Sequence, residues 1–405
     1  MRTKFDIYVF IVIDVYVIYR MLTSNSSNNT DTNTNIQSLY EIEYEQFLNK
    51  DIVSVVILIL LSFIGIVGNV HTLLVYSMSP VMATLTVRIF ILWLSATDLI
   101  ACMACIPFEI FDIRFDYTFS SGGVCKFFRF FNHAVALSSG GLLTAIAIER
   151  YKISNRIQTQ QSRIPFVALH IASLVVVAIS IAMSTPAFVI YGLKIKETGI
   201  SGLNGTDCAA LSEYYNMSTV GVYAGIAILF SNVCGVTCAV VYGKLLFVIC
   251  VQMKKEKKDK AKSNNYQMDI SSELTSKETQ QVSISQLNDV PSISSSLGEN
   301  VPSPTKTHKR SKYENGQQLT ISLLVATAVS YSGYIIFVTT NLVNIANPTL
   351  GKSSIRPVTA ILLRAVFINN AANPVMYCLL DNTFRTECLK LYKKTFCAKY
   401  LSKTY

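Results

Sequence analysis

Residues 52–78 read IVSVVILILLSFIGIVGNVHTLLVYSM, twenty-seven positions without one Asp, Glu, Lys or Arg. At 1.5 Å per residue a helix of that length reaches about 40 Å, more than the roughly 30 Å hydrocarbon core of a bilayer. Six further stretches are as long and predominantly apolar, with few charges, near Thr84–Ile110, Cys125–Arg150, Ile164–Ile190, Thr219–Val251, Gln318–Leu342 and Val358–Leu380. They are expected to be helices, because an open strand in lipid leaves backbone N–H and C=O groups unpaired and none of the stretches alternates as a barrel strand does. The predicted fold is an all-α seven-transmembrane bundle, whose odd number of crossings puts the termini on opposite sides.

Composition agrees with a membrane protein. Hydrophobic residues make up 51% of the 405 and charged residues 15%, too little polar surface for a soluble globule of this size. A net charge of +10 suits a nucleic-acid binder, but the Lys and Arg are gathered between long apolar runs that such a protein does not carry. No nucleic-acid partner is expected. With the N-terminus outside, Glu149–Arg163, Gln252–Gly316 and Cys378–Tyr405 hold twenty-one Lys and Arg and the three outer loops hold five. That is the positive-inside asymmetry. The four N-x-S/T sequons, at Asn25, Asn28, Asn204 and Asn216, all fall outside in this orientation and are the candidate glycosylation sites. Of the ten cysteines only Cys102 and Cys105 form a CxxC pair, inside an apolar stretch with no second pair or nearby histidine, and the four histidines are widely spaced, so no zinc site is predicted.

Three regions follow: an extracellular tail (1–51), the membrane domain (52–380) and an amphipathic segment with a short cytoplasmic tail (381–405). Met1–Met21 has Arg2 and Lys4 before an apolar run, but Asp6 and Asp14 interrupt it and no small-residue cleavage site follows. A removed signal peptide of about 1–23 and a merely apolar tail both stay open. Within the long inner segment 252–316, residues from Ala261 to Thr307 are rich in Ser, Thr, Asn, Gln and Pro and are expected to be disordered. The basic runs Lys254–Lys262 and Lys306–Lys312 beside them are expected at the anionic inner leaflet, making membrane lipid a partner.

Four short motifs recur in order along the spans. The first stretch carries Gly68-Asn69, the second Leu94-Ser95-Ala96-Thr97-Asp98, the third ends in Glu149-Arg150-Tyr151, and the seventh carries Asn373-Pro374-Val375-Met376-Tyr377. Together, each at its own depth, they resemble the rhodopsin-like (class A) G-protein-coupled receptors over nearly the whole chain outside the tails and the third inner loop. The resemblance implies a receptor that binds an extracellular ligand and activates heterotrimeric G proteins at the plasma membrane, with arrestin as a further partner, and not an enzyme.

It also implies roles. Asp98 would lie at mid-membrane, where an ionised carboxylate is costly. Ser139, Asn369 and Asn373 match the positions that with it hold an allosteric sodium ion, braced by Asn69, and an oxygen-rich cluster suits a hard cation. A protonated or water-satisfied Asp98 is the plainer alternative. No other cofactor is implied. Glu149 would hold Arg150 at rest and release it on activation, with Tyr242 and Tyr377 matching the tyrosines that swing towards it; a snorkelling interfacial arginine is the bland alternative. Cys125 and Cys208 match the family's disulfide. Cys388 and Cys397 are candidate palmitoylation sites, and Phe384, Cys388 and Leu391 share one face of an amphipathic helix on the inner leaflet.

Departures from the family pattern are also present. The only tryptophan is Trp93 rather than one in the fourth span, Cys234 stands where the fifth span usually has proline, and Ser330-Tyr331-Ser332-Gly333-Tyr334 replaces Cys-Trp-x-Pro-Tyr in the sixth. Thr327 and Gly140 replace bulky packing partners. Gly333 would still permit bending, and Tyr331 is the candidate toggle. A constitutively active, weakly signalling or decoy receptor stays open.

For the ligand, Asn132 occupies the position where amine receptors have aspartate, so an ammonium would lack its counter-ion. Arg129, Asn132 and His133 share a face of the third span, Glu109 and Asp112 lie near the mouth of the second, and Arg364 and Phe367 lie in the outer seventh, with Tyr331 and Tyr334 in the sixth. Charges of both signs around an aromatic mouth suit a peptide with polar ends, unless Glu109 pairs internally with Arg129 or Arg364. Tyr117-Thr118-Phe119 resembles the aromatic-x-Phe motif of the first outer loop, and the whole chain resembles neuropeptide receptors more than opsins, since the seventh span has no lysine for a retinal Schiff base. A transporter would show repeated halves and broken helices; an intramembrane enzyme would need a paired nucleophile and base.

Overall fold

The computed structural model describes residues 30–159, 165–200, 202–211, 218–285, 304–347 and 356–401. Asn25, Asn28, Asn216 and the stretch 1–23 lie outside the described residues. Among the described residues, seven helices are long and apolar enough to cross a membrane: α1 (Gln37–Met78), α2 (Arg88–Arg114), α3 (Gly122–Ser154), α4 (Phe166–Ile190), α5 (Gly221–Lys254), α6 (Gly316–Asn344) and α7 (Arg356–Leu380). An eighth helix, α8 (Asn382–Leu401), follows α7 after Asp381. Between α4 and α5, β1 (Tyr191–Glu197) pairs antiparallel with β2 (Asn204–Ala210).

Burial is inverted relative to a soluble protein. Leu60, Val67, Ile171, Leu229 and Val236 face outwards, whereas Asn69, Asp98, Ser139 and Asn373 are wholly buried. In lipid, apolar side chains gain nothing from leaving the surface, so packing relies on small residues and hydrogen bonds. On α4 the buried face is Leu169, Ser173, Ser180 and Ser184. Each serine hydroxyl bonds the carbonyl four residues back, at 2.8–3.0 Å, so the face is small and self-satisfied. A Cβ on Gly68 would lie 2.6 Å from Pro374 Cγ; only glycine lets α1 close onto α7 there.

Prolines and local windings shape the helices. A π turn at Ala101–Cys105 precedes Pro107 in α2, where a missing N–H and a bulky ring would disturb an ordinary α turn. In α7 the α-helix stops at Leu363, passes through a 3-10 turn at Ala365–Phe367 and resumes to Leu380. Asp381 Oδ1 then accepts from Thr383 N (2.8 Å) and Phe384 N (3.1 Å), the cap that starts α8.

One expectation needs correction. Helix continues from α5 to Ser285 and begins again at Pro304 before α6, so 261–285 and 304–307 are helical rather than disordered. Polar composition suggested disorder, but no Gly or Pro lies between Gly243 and Pro291, and Lys, Glu and Gln sustain a helix well. In the tail, a helix starts at Thr30 and runs into the first span through a π turn at Phe47–Asp51.

The hairpin end is tied together. Cys208 of β2 is bonded to Cys125 at the start of α3, as the resemblance implied. Thr206 N donates to Tyr117 O (2.8 Å) and Phe119 N to Thr206 O (3.0 Å), so the α2–α3 loop lies along β2. Glu43, buried, accepts from Tyr117 N (2.7 Å) and Thr118 N (3.1 Å) and pairs with Arg114 at 3.6 Å.

Candidate functional site

Under the hairpin, α2, α3, α5, α6 and α7 enclose a cavity of about 550 Å³. Glu109, Arg129, Asn132, His133, Tyr331, Tyr334, Arg364 and Phe367 all line it, and Asp112 does not. Asp112 instead faces a smaller hollow of about 190 Å³ with Asp51, Asp116, Arg356 and Arg364.

The charges of the mouth neutralise one another. Arg129 reaches Asp112 at 2.5 Å and Glu109 at 3.5 Å, and Arg364 reaches Glu109 at 3.4 Å. Arg129 also donates to Cys208 O at 3.1 Å, so it links α2, α3 and β2. Of the two readings the sequence left open, the geometry shows the internal pairing of Glu109 with Arg129 and Arg364: two acids and two bases cancel. What remains for an incoming molecule is largely aromatic. Tyr191, Tyr223, Phe230 and Phe337 line the same space, and none was predicted; Tyr191 comes from the hairpin, where no helical periodicity marks a face. Its hydroxyl lies 3.3 Å from His133 Nε2, and burial raises the phenol above its ordinary pKa, which keeps it a donor.

Deeper, Asp98 accepts from Ser139 Oγ and Asn373 Nδ2, both at 2.8 Å. Asn69 Nδ2 donates to Gly65 O and Asn370 O, bracing α1 against α7. The side-chain oxygens of Asn369 and Asn373 are buried without a hydrogen-bond partner among the described residues.

At the opposite end, Arg150 and Glu149 are buried and paired at 3.1 Å, and Thr86 Oγ1 donates to Glu149. Tyr151 is half-buried beside them. Tyr377 packs with Tyr76 (6.3 Å between ring centres) and Phe384 (5.9 Å). Tyr242 belongs to a cluster with Ala147, Cys238, Leu245 and Ile249, against which Tyr331 packs. Tyr331 thus touches both the cavity and the packing around Tyr242. Pro374 lies against Gly68. Cys388 is a free, half-buried thiol on α8, and the side chain of Cys397 lies outside the described residues. Asn204 is exposed in β2.

The sole tryptophan also finds a use, since Trp93 Nε1 on α2 donates to His170 Nδ1 on α4 at 3.3 Å. Gly333 has a packing role beside the bending expected of it. A Cβ there would lie 2.5 Å from Ala365 O, so this glycine serves the close approach of α6 to the 3-10 turn of α7.

No curated protein matches the sequence significantly. Residues 68–377, from inside α1 to Tyr377, match the model of the family described as 7 transmembrane receptor (rhodopsin family). With a disulfide-anchored hairpin over a cavity at one end and a paired Glu149–Arg150 at the other, the chain belongs to the rhodopsin family of seven-transmembrane receptors, multi-pass membrane proteins that signal through G proteins and are not enzymes.

Proposed function

We propose that this receptor sits in the plasma membrane with its hairpin end outside and senses a peptide. The observation that carries the ligand class is the aromatic cavity of about 550 Å³ under the hairpin, which suits one end of a peptide, its remainder lying across the hairpin and the α2–α3 loop. The orientation is supported by the Lys and Arg asymmetry, and the exposed Asn204 is the described residue best placed for glycosylation. Expressing the full chain and screening peptides for G-protein dissociation tests the reading. Activation by non-peptide molecules alone would overturn it.

Arrestin and inner-leaflet lipid are further proposed partners, with Cys388 and Cys397 as palmitoylation sites. Asp98, Ser139, Asn369 and Asn373 would hold a sodium ion; the buried, unpartnered amide oxygen of Asn373, whose Nδ2 bonds the carboxylate, and that of Asn369 one turn earlier on α7 fit a hard cation. A second reading, weak or decoy signalling, is favoured by one observation: helix runs unbroken through Ser330–Tyr334, so α6 lacks the proline kink that would make it a lever.

A further inference from the structure

The ionised groups that line the cavity, Glu109, Arg129 and Arg364, are all engaged in ion pairs, and with Asp112 their charges sum to zero. A ligand carboxylate or ammonium entering beside them would have to displace a partner already in place, and would lose its hydration without a free counter-charge. Asn132 is different. It lines the same cavity, and its side-chain oxygen is buried without a hydrogen-bond partner among the described residues. Oxygen and nitrogen of a terminal amide exchange places by a half-turn about a soft torsion, so Asn132 can present a donor, an acceptor or both. The group that satisfies it in either setting is another primary amide, which carries a donor and an acceptor side by side. Around it, Tyr223, Phe230 and Phe337 supply apolar and aromatic surface.

We infer that the ligand inserts an uncharged end bearing a primary carboxamide next to an aromatic side chain, paired with Asn132, and not an ionised terminus. This rests on the peptide reading and narrows it to a class of peptide end. Three small probes separate the alternatives on purified full-length receptor in lipid nanodiscs: N-acetyl-phenylalaninamide, N-acetyl-phenylalanine as the carboxylate, and phenylethylammonium. Thermal stabilisation titrated with each should show the carboxamide binding about tenfold tighter than either ion, the factor a well-made buried hydrogen bond supplies. Asn132→Leu should erase the preference. Asn132→Asp, which places an unpaired carboxylate in the cavity, should transfer it to phenylethylammonium and keeps the test open if the leucine variant does not fold. Equal or tighter binding of either ion to the wild type overturns the inference, as does stabilisation by none of the probes. Neither outcome touches the peptide reading, which stands or falls on the peptide screen.

Discussion

Arg150 is buried against Glu149, yet its Nη2 has no partner among the described residues. A buried guanidinium with a spare donor is held but not saturated, so a modest change in its surroundings can release it. Arg150→Ala should abolish G-protein activation while surface expression persists, measured by G-protein dissociation beside cell-surface labelling; undiminished coupling would refute its role. At Asp98 the expected readout is sodium dependence. Replacing sodium with N-methylglucamine should tighten agonist binding in the wild type, because an ion shifts an equilibrium only through differential affinity, and Asp98→Asn should remove the difference. Agonist affinity indifferent to sodium in the wild type would sink the assignment. Arg129 makes the opposite kind of claim, a structural one. Arg129→Ala strands Asp112 and should cost about 3–5 kcal/mol, the usual penalty for breaking a buried pair. Glu109→Gln leaves the 2.5 Å Arg129–Asp112 pair intact and should cost less. Melting temperatures of the two purified variants decide this, and equal losses would mean that Arg129 is not the hub.

Gly333 separates two accounts of α6. If it were a hinge, Gly333→Ala would leave the resting receptor stable and impair activation. The close approach to Ala365 O predicts instead a backbone clash costing about 1–3 kcal/mol, as overpacking does, seen as lower thermal stability of the unliganded receptor. Normal stability with lost signalling would restore the hinge. This contrast also shows what the sequence could reveal about single elements. The seven spans were legible because lipid demands long uncharged runs, and Asp98, Glu149 and Arg150 because their motifs are local. Pairings such as Glu109 with Arg364 join residues distant in the chain, so the alternation of charges at the mouth read equally well as a ligand site. Glu43 against Tyr117 and Thr118 left no periodic signal at all, and the helical run to Ser285 was hidden by a composition that disorder and exposed helix share.

On the scale of the whole receptor, Tyr331 joins the cavity under the hairpin to the packing around Tyr242, which reaches Ala147 of α3, two residues before Glu149; this leaves the question of where signalling is ended. Hydroxyls at this end are divided between the tail and the long inner segment. In the tail, Thr386, Thr395, Ser402 and Thr404 are few, and Thr386 Oγ1 already donates to Asn382 O within α8. In the inner segment, Ser292, Ser294, Ser295, Ser296 and Ser303 gather within twelve residues of sequence. Each phosphate adds about −1.5 to −2 charge at pH 7, and five on twelve residues would form a dense anionic patch able to make charge-assisted hydrogen bonds to a basic arrestin surface. Changing these five serines to alanine should therefore cut agonist-driven arrestin recruitment severalfold and leave G-protein activation intact. Removing the four tail hydroxyls should do little. Arrestin recruitment measured by proximity luminescence in both variants checks this, and recruitment lost with the tail hydroxyls but kept without the five serines would place the signal in the tail.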